Sequence, residues 1–340
     1  MYPDIPLCLS LAFVGVGLAA LAWSSDFFVD GASVLAKALG ISPFVIGMVV
    51  IGFGTSAPEL CVSLMSGIGG HPELSLGNAY GSCSFNIAVI LGVSALICPL
   101  VVKRGVALVA GPALAAISLF SLWLLRDGAC GRFEALVLLV AFAVLLPIYC
   151  WLDQKAKAAS AEPAQAGMAA EPSASGSIWT GVWKSVVGLV VLVGSSHVLV
   201  WGAVDFAQVM GVSDLVIGLT IIAAGTSLPE LASAISSARR GEHEFVLGNI
   251  IGSNFFNTLA VVGLATAVTP ILPPEHRFSP HILTRDLPLM TLLSLSITLF
   301  GVNLRNPKEP GSIGRWKALV WISLFVAYTV FMFHQETGRI

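Results

Sequence analysis

A seven-residue motif occurs twice in this chain, and it limits the possible folds more than any other feature. The first copy is GTSAPEL at 54–60 and the second is GTSLPEL at 225–231. Aligned without a gap at an offset of 171 residues, 40–92 and 211–263 share 23 identities in 53 positions. Both copies lie in apolar stretches, where a proline and an acid are costly. The chain is therefore an internal duplication, and each half places the same polar group inside an apolar segment.

The composition is that of an integral membrane protein. Hydrophobic residues make up 56% of the 340 residues and charged residues only 11%, with a mean hydropathy of +0.90. A soluble domain contains about 25% charged residues. The net charge is −2 without a basic or acidic block, which excludes nucleic acid as a partner. The six cysteines have no metal-ligand spacing and no H-E-x-x-H or G-x-S-x-G motif is present, so we expect neither a cofactor nor an enzyme. No obligate protein partner is evident.

Ten apolar stretches are long enough to cross a bilayer, at about 20 residues per crossing. We predict spans at 7–36, 41–67, 74–99, 105–126, 133–152, 180–208, 212–238, 244–270, 284–304 and 315–335. The first and sixth are long enough to tilt or to extend past the bilayer. The fold class is therefore an all-α polytopic membrane protein with about ten transmembrane helices.

Five of these spans lie on each side of a segment rich in Ala, Ser, Pro and Gly. We predict a first repeat at 1–152 with helices 1–5, a flexible linker at 153–179, and a second repeat at 180–340 with helices 6–10. Because five is odd, the second half enters the membrane from the opposite side. The halves are then inverted repeats, an architecture common among secondary transporters.

The placement of Lys and Arg predicts the orientation of the chain. With the N-terminus outside, 12 of the 17 basic residues fall in inner loops. We therefore expect a multi-pass protein of the cell inner (plasma) membrane, in contact with the lipid bilayer. Both termini face outside and the linker is cytoplasmic.

Each copy of the motif predicts an interrupted helix that carries a polar site. Pro58 cannot donate its backbone N–H, and Gly54 adds a sterically open position, so the helix should break and free carbonyl oxygens. Such a break is tolerated in a membrane only when it is buried in protein or lines a polar cavity. Thr55 and Glu59 are four residues apart and share one face of a helix.

A second motif follows in the next helix of each half. It reads GNAYGSCSFN at 77–86 and GNIIGSNFFN at 248–257, and Ser82 and Asn86 are again four residues apart. We predict that helices 2, 3, 7 and 8 are broken and meet near the membrane midplane if the inverted halves pack face to face.

The groups that would meet there are all hard oxygen ligands. They comprise two carboxylates, two carboxamides, several hydroxyls and freed carbonyls, and no His or Cys occupies matching positions of both repeats. Oxygen-only sites suit Ca²⁺, and Na⁺, another hard cation, could share the same set of oxygen ligands. We call this set of ligands the cage. The predicted ligands are Glu59, Glu230, Thr55, Thr226, Ser82, Ser253, Asn86 and Asn257.

The paired motifs closely resemble the two alpha repeats of the calcium/cation antiporter superfamily, with the prokaryotic sodium/calcium exchanger branch as the best match. The resemblance covers both halves. It implies an antiporter that exchanges Ca²⁺ for Na⁺ by alternating access, with the first and sixth helices sliding against the ion-binding core. It implies that Glu59 and Glu230 coordinate Ca²⁺, helped by the carbonyls of Thr55 and Thr226. It also implies flanking sodium sites that use the side chains of Ser56, Ser227, Ser82 and Ser253 and the carbonyls of Gly52 and Ala223.

One position departs from the family pattern. Some relatives carry an Asp at the end of one repeat, where this chain has Asn86 and Asn257, so potassium co-transport is not expected. Bound Ca²⁺ neutralises two carboxylates; three Na⁺ would leave one positive charge and make exchange electrogenic, whereas two protons would leave none. Because the sequence does not choose between them, a Ca²⁺/H⁺ antiporter is the alternative. A cation channel is a further alternative, which dependence on an opposing ion gradient would exclude.

Overall fold

The computed structural model describes residues 7–69, 73–159, 177–210, 223–272, 278–304, 306 and 309–336. Within this part, nine helices are long and apolar enough to cross a membrane. We number the membrane helices in chain order as α1 Leu7–Leu39, α2 Pro43–Ile68, α3 73–97, α4 Arg104–Leu124, α5 Arg132–Ala159, α6 Ile178–Val209, α7 223–239, α8 His243–Val268, α9 Ile282–Gly301 and α10 Arg315–Glu336. The predicted seventh span, 212–238, is described only from Ala223 onwards, as α7.

The linker predicted at 153–179 is shorter than expected where the structure describes it. α5 continues to Ala159, and α6 begins at Ile178. The helix continues because 153–159 reads DQKAKAA, which contains good helix formers and neither Gly nor Pro. The middle of the predicted linker, 160–176, lies outside the described residues.

α2 and α7 are interrupted, as the motif predicts. The break in α2 falls at Ser56, with φ −81° and ψ 6°, and the break in α7 falls at Ser227, with φ −92° and ψ 10°. Helical structure resumes at the next residue, and the motif proline lies in the first two positions of the new segment. A proline is tolerated there because the first N–H groups of a helix have no partner within it.

α3 and α8 take a different form from the predicted breaks, because each stays helical and widens. In α3 a π-helical turn runs over Asn86–Leu91, and in α8 one runs over Phe256–Val261. The residues that flank these turns keep right-handed helical dihedral angles. Neither helix contains a proline, so every residue keeps its N–H and the hydrogen bonds shift register instead of ending.

The loops between the membrane helices pair with each other, and the pairs agree with helices that cross the membrane in alternating directions. Leu100–Val102, between α3 and α4, forms a two-stranded antiparallel sheet with Gly311–Ile313, between α9 and α10. Cys130, between α4 and α5, forms a bridge with Ile271, between α8 and α9. The first pair belongs to one side of the membrane and the second to the other, as the inverted five-helix repeats require.

α1 and α6 form a long pair that obeys the repeat symmetry. A side chain at Gly17 would lie 2.8 Å from the backbone nitrogen of Leu199, and one at Gly188 would lie 2.7 Å from that of Phe28. Gly188 and Leu199 are the positions 171 residues after Gly17 and Phe28, so this is one contact made twice. The backbones of the two helices therefore approach each other closely at these glycines.

α8 passes through the centre of the molecule. An 18-residue stretch of it is entirely buried, whereas only 11% of the matching stretch of α10 and 17% of that of α5 are buried. The exposed faces of α5 and α10 are apolar and suit contact with lipid. The motif helices α2, α3 and α8 are the three most buried of the nine, and the site lies among them.

Candidate cation-binding site

Two carboxylates lie opposite each other at the two helix breaks. Glu59 and Glu230 are fully buried, and each lies in the first turn of the segment that follows its break. Ser56 Oγ donates to Glu230 Oε1 at 2.9 Å, and Ser227 Oγ donates to Glu59 Oε1 at 2.9 Å. Each serine therefore binds the acid of the other repeat. The positive ends of the two helix dipoles also favour negative charge at these positions.

The hydroxyls predicted from the second motif lie at the same centre. Ser82 Oγ accepts from Ser227 Oγ at 3.5 Å and also approaches the Glu59 carboxylate. Ser253 Oγ donates to the Gly52 carbonyl at 3.1 Å, which brings together two of the groups predicted for the sodium sites. Ser253 also approaches the Glu230 carboxylate, as Ser82 approaches that of Glu59, so the two serines share the equivalent acid and differ only in their other partner.

The two motif threonines are the last residues before the breaks. Thr55 Oγ1 donates to the Ile51 carbonyl at 3.0 Å and to Asn249 Oδ1 at 3.3 Å. Thr226 is buried at the end of the short segment that begins at Ala223. Because the Thr55 hydroxyl already has protein partners, the predicted role of Thr55 depends on its backbone carbonyl.

Several buried polar atoms of the predicted ligands have no protein partner among the residues that the structure describes. They are Glu59 Oε2, Glu230 Oε2, Asn86 Oδ1, and both Oδ1 and Nδ2 of Asn257. Leaving a buried polar atom unpaired costs about 1–3 kcal/mol, and more for a charged one. Four of the five are oxygens at repeat-related positions, so the donor set fits a hard cation that accepts several oxygen ligands.

Sequence reasoning missed two residues that hold the acids in place. Asn78 Nδ2 donates to the Glu59 backbone carbonyl at 3.0 Å and to Ser63 Oγ at 2.9 Å. Asn249 Nδ2 donates to the Glu230 carbonyl at 3.2 Å, and also to Ser233 Oγ at 3.0 Å. The identity of the Gly-Asn pair in both repeats was the available signal. The asparagines tie the second motif to the first, so that both acids are fixed at the backbone.

Neither carboxylate forms an ion pair with any residue that the structure describes. Their protein partners are neutral hydroxyls. If both acids are ionised, the cage therefore carries two negative charges in a region of low dielectric constant, where like charges repel strongly. A divalent cation removes this charge completely.

A separate polar contact joins α1 to the end of α7. Arg240 pairs with the Asp30 carboxylate and donates to the Asp26 carbonyl at 3.1 Å, and Ser236 Oγ donates to Asp26 Oδ1 at 2.5 Å. In the second half, His197 and Trp201 stand at the positions equivalent to 26 and 30. The acids that form this contact are therefore present in only one of the repeats.

The fold and the site together define a class of protein. Inverted repeats of membrane helices, broken where two acids meet, are the architecture of secondary transporters that bind their substrate at the midplane. The cage offers oxygen ligands for an inorganic cation. The molecule is a polytopic membrane transporter and not an enzyme.

Comparisons with known proteins identify the family. The family described as "Sodium/calcium exchanger protein" matches residues 9–151 and 180–334. The chain is 36% identical to the "Putative antiporter CaxA" of Alkalimonas amylolytica over 96% of its own length and 99% of the relative's. It is 33% identical to the "Inner membrane protein YrbG" of Escherichia coli strain K12 over 94% and 97%. A solved structure of the sodium-calcium exchanger NCX_Mj, soaked with zero Na⁺ and Ca²⁺, matches with a TM-score of 0.78 at 28% identity, covering 95% of this chain and 98% of that one. The chain belongs to the sodium/calcium exchanger family, and the family resemblance inferred from the motifs is confirmed.

Proposed function

We propose that this chain exchanges Ca²⁺ for Na⁺ across the cell inner membrane by alternating access, and that the exchange is electrogenic if three Na⁺ move for each Ca²⁺. The observation that carries the proposal is the set of unpaired buried oxygens on Glu59, Glu230, Asn86 and Asn257. A cation would remove the cost of leaving these atoms without partners. The family and the printed title of the NCX_Mj structure support Na⁺ and Ca²⁺ as the exchanged ions.

The two acids would bind Ca²⁺, with the backbone carbonyls of Thr55 and Thr226 and the carboxamides completing the shell. In the proposed sodium-loaded state, the serines at the breaks and in the second motif serve the flanking sites. The residues proposed for these sodium sites are Ser56, Ser227, Ser82, Ser253, Gly52 and Ala223. The contact between Ser253 and the Gly52 carbonyl supports one such site, because Na⁺ would bind both oxygens once the hydroxyl hydrogen turns away from the carbonyl.

Charge explains why the two ions would move in opposite directions. An empty cage with two ionised acids is costly to move through a region of low dielectric constant, whereas a Ca²⁺-loaded cage is neutral. The carrier should therefore change its access only when it is loaded. Three Na⁺ would leave one positive charge, which makes the exchange sensitive to membrane potential. We propose that the repeats 1–152 and 180–340 form the two halves of this cycle, with both termini outside and the linker in the cytoplasm.

Uptake of ⁴⁵Ca²⁺ into proteoliposomes tests the proposal. An outward Na⁺ gradient should drive uptake, an inside-negative potential set with K⁺ and valinomycin should oppose it, and a K⁺ gradient without valinomycin should not drive it. Uptake driven by a proton gradient and not by Na⁺ would establish the Ca²⁺/H⁺ alternative. Entry without any opposing gradient would indicate a channel, and no uptake under any gradient would refute antiport.

Substitutions test the assignment of the cage. Glu59→Gln and Glu230→Gln keep the volume and an oxygen acceptor for the serine but remove the charge, so we expect each to abolish exchange. Glu134→Gln is the matched control, because Glu134 accepts from the Gly131 backbone N–H in the loop region before α5 and lies outside the cage. Normal exchange by either cage variant would refute the assignment.

A further inference from the structure

Position 83 and position 254 are equivalent in the two repeats, and they face each other. Asn254 Nδ2 donates to the Cys83 backbone carbonyl at 3.2 Å, and Cys83 Sγ lies 3.8 Å from the Asn254 carbonyl. Both side chains are fully buried. The pseudo-twofold axis that relates the repeats therefore passes between two residues of different chemistry.

A chain of hydrogen bonds leads from this pair to the candidate cage. A backbone carbonyl only accepts, so the Cys83 carbonyl requires the NH₂ group of Asn254 to face it. The oxygen of Asn254 then faces away, and it accepts from Asn86 Nδ2 at 3.1 Å. Asn86 must in turn present its own oxygen elsewhere, and this Oδ1 is the atom that is buried without a partner.

The freed oxygen of Asn86 belongs to the cage by its position on α3. Asn86 lies one helical turn after Ser82, and residues four apart share a helix face. Ser82 accepts from Ser227, which itself donates to Glu59. The carboxamide oxygen thus extends from the same face that supplies the hydroxyl next to the acid.

Within the described part of the chain, the second cage asparagine, Asn257, lacks a hydrogen bond of the kind that orients Asn86. The residue facing Asn254 is a cysteine, and its thiol is occupied with Thr258 Oγ1 at 3.4 Å. Among the described residues, Asn257, the equivalent of Asn86, has no protein partner at either Oδ1 or Nδ2. The two cage asparagines are identical in sequence, but the protein orients only one of them.

We propose that Asn254 is a positioning residue that fixes the carboxamide of Asn86 with its oxygen toward the transported cation. Asn86 then provides a preset ligand, whereas Asn257 must be oriented by the ion itself. Because ordering a side chain costs free energy, the preset oxygen raises the affinity for Ca²⁺. This inference rests on the proposed function, since it assigns a ligand role to Asn86.

The first test replaces Asn254 with the residue that the first repeat carries at this position. Asn254→Cys should weaken Ca²⁺ binding about 10-fold, the lower end of the usual effect of removing an outer-shell partner of a metal ligand. Binding is measured by Ca²⁺-dependent thermal stabilisation of the purified protein, and exchange by ⁴⁵Ca²⁺ uptake against Na⁺. We expect the KM for Ca²⁺ to rise and the maximal rate to change little. Asn306→Cys, a substitution of the same kind in the loop between α9 and α10, should behave as the unmodified protein.

A double-mutant cycle separates positioning from general stability. If Asn254 acts through Asn86, then Asn254→Cys should have no further effect on Ca²⁺ binding in an Asn86→Ala background. Additive losses would show that Asn254 acts by another route and would overturn the inference. An equal loss of thermal stability with and without Ca²⁺, at unchanged affinity, would also overturn it.

Exchanging the residues at positions 83 and 254 moves the positioning asparagine to the other repeat and provides a rescue experiment. Adding Cys83→Asn to Asn254→Cys reverses the pair, so the new asparagine should orient Asn257 in place of Asn86. We expect Ca²⁺ affinity to recover, and Asn257→Ala then to become more damaging than Asn86→Ala. Absence of recovery in a protein that is as stable as the single variant would count against the inference.

The two readouts also distinguish this inference from the proposed function. Ca²⁺ stabilisation that depends on Asn254, in a protein that shows no ion-driven uptake, would refute exchange and retain the positioning role. Exchange with unchanged Ca²⁺ affinity in Asn254→Cys would refute the positioning role alone.

Discussion

Close packing of α8 against α2 supports the cage. The substitution Gly252→Ala tests how strongly Ca²⁺ binding by the cage depends on this packing. A side chain at Gly252 would lie 2.7 Å from the Cα of Met48 and 2.8 Å from its carbonyl carbon. These are backbone atoms of α2, so no side-chain rotation can relieve the contact. Since carbon atoms pack at about 3.5 Å or more, the helices must separate by at least about 0.8 Å at this point, because the carbonyl oxygen of Met48 lies nearer still.

This separation would break the hydrogen bonds that join α8 to the region of the first break. The bond from Ser253 Oγ to the Gly52 carbonyl is 3.1 Å long, and that from Thr55 Oγ1 to Asn249 Oδ1 is 3.3 Å long. Both would exceed the range of a hydrogen bond. Overpacking costs about 1–3 kcal/mol and each lost bond about 1 kcal/mol, so we expect a destabilisation of about 3–5 kcal/mol.

The assay compares thermal unfolding in detergent with and without Ca²⁺, together with ⁴⁵Ca²⁺ uptake against Na⁺. We expect Gly252→Ala to unfold at a lower temperature and to lose most of its Ca²⁺ stabilisation. Gly194→Ala is the control, because no described atom lies within 4 Å of a side chain at Gly194. As an alanine in a helix, it should be neutral or stabilising by up to about 1 kcal/mol. Unchanged stability and Ca²⁺ affinity in Gly252→Ala would refute the reasoning.

Two further predictions concern the polar contact at the α1 and α7 ends. Burial raises the pKa of Glu242, and Asp30 adds to this effect, while the Ser33 hydroxyl, Arg240 and Lys37 oppose it. A raised pKa means that ionisation destabilises the fold, so stability falls as pH rises through the folded-state pKa. Glu242→Gln should thus be more stable than the unmodified protein at pH 7 and equal to it below about pH 4, the usual range of a free Glu; equal stability throughout a thermal unfolding series in pH would contradict this. The partly exposed pair of Arg240 and Asp30 is worth at most about 1 kcal/mol. Arg240→Gln should change the exchange rate by no more than about 5-fold at low ionic strength, with a smaller change in 1 M choline chloride, and an effect independent of salt would exclude the ion pair as the cause.

The breaks in α2 and α7 were predictable because the motif that causes them is local. Proline alone does not break a helix in this chain, since Pro112 and Pro147 lie inside α4 and α5. The motif also places a glycine four residues before its proline. The π-helical turns of α3 and α8 had no such signal. A helix without proline keeps all its backbone N–H donors, so the register of its hydrogen bonds depends on what packs against it.

The partners of the cage residues depend on helix crossings that no single segment specifies. Ser56 is three residues from Glu59 in sequence, yet it donates to Glu230 of the other repeat. The backbone contacts between α1 and α6 did leave a signal, since Gly17 and Gly188 are separated by 171 residues. Without knowledge of which helices are neighbours, that coincidence has no meaning.

By itself the sequence determined the duplication, the membrane class, the odd number of spans in each repeat and the ligand chemistry of the GTSxPEL motif. These follow from composition, covalent geometry and arithmetic, which do not depend on distant contacts. Only the tertiary structure decided which serine meets which acid, and why Asn86 and Asn257 differ. The physical reason is that hydrogen bonds act over about 3 Å, so the orientation of a carboxamide is set by the residue that folding places beside it, here Asn254 for Asn86.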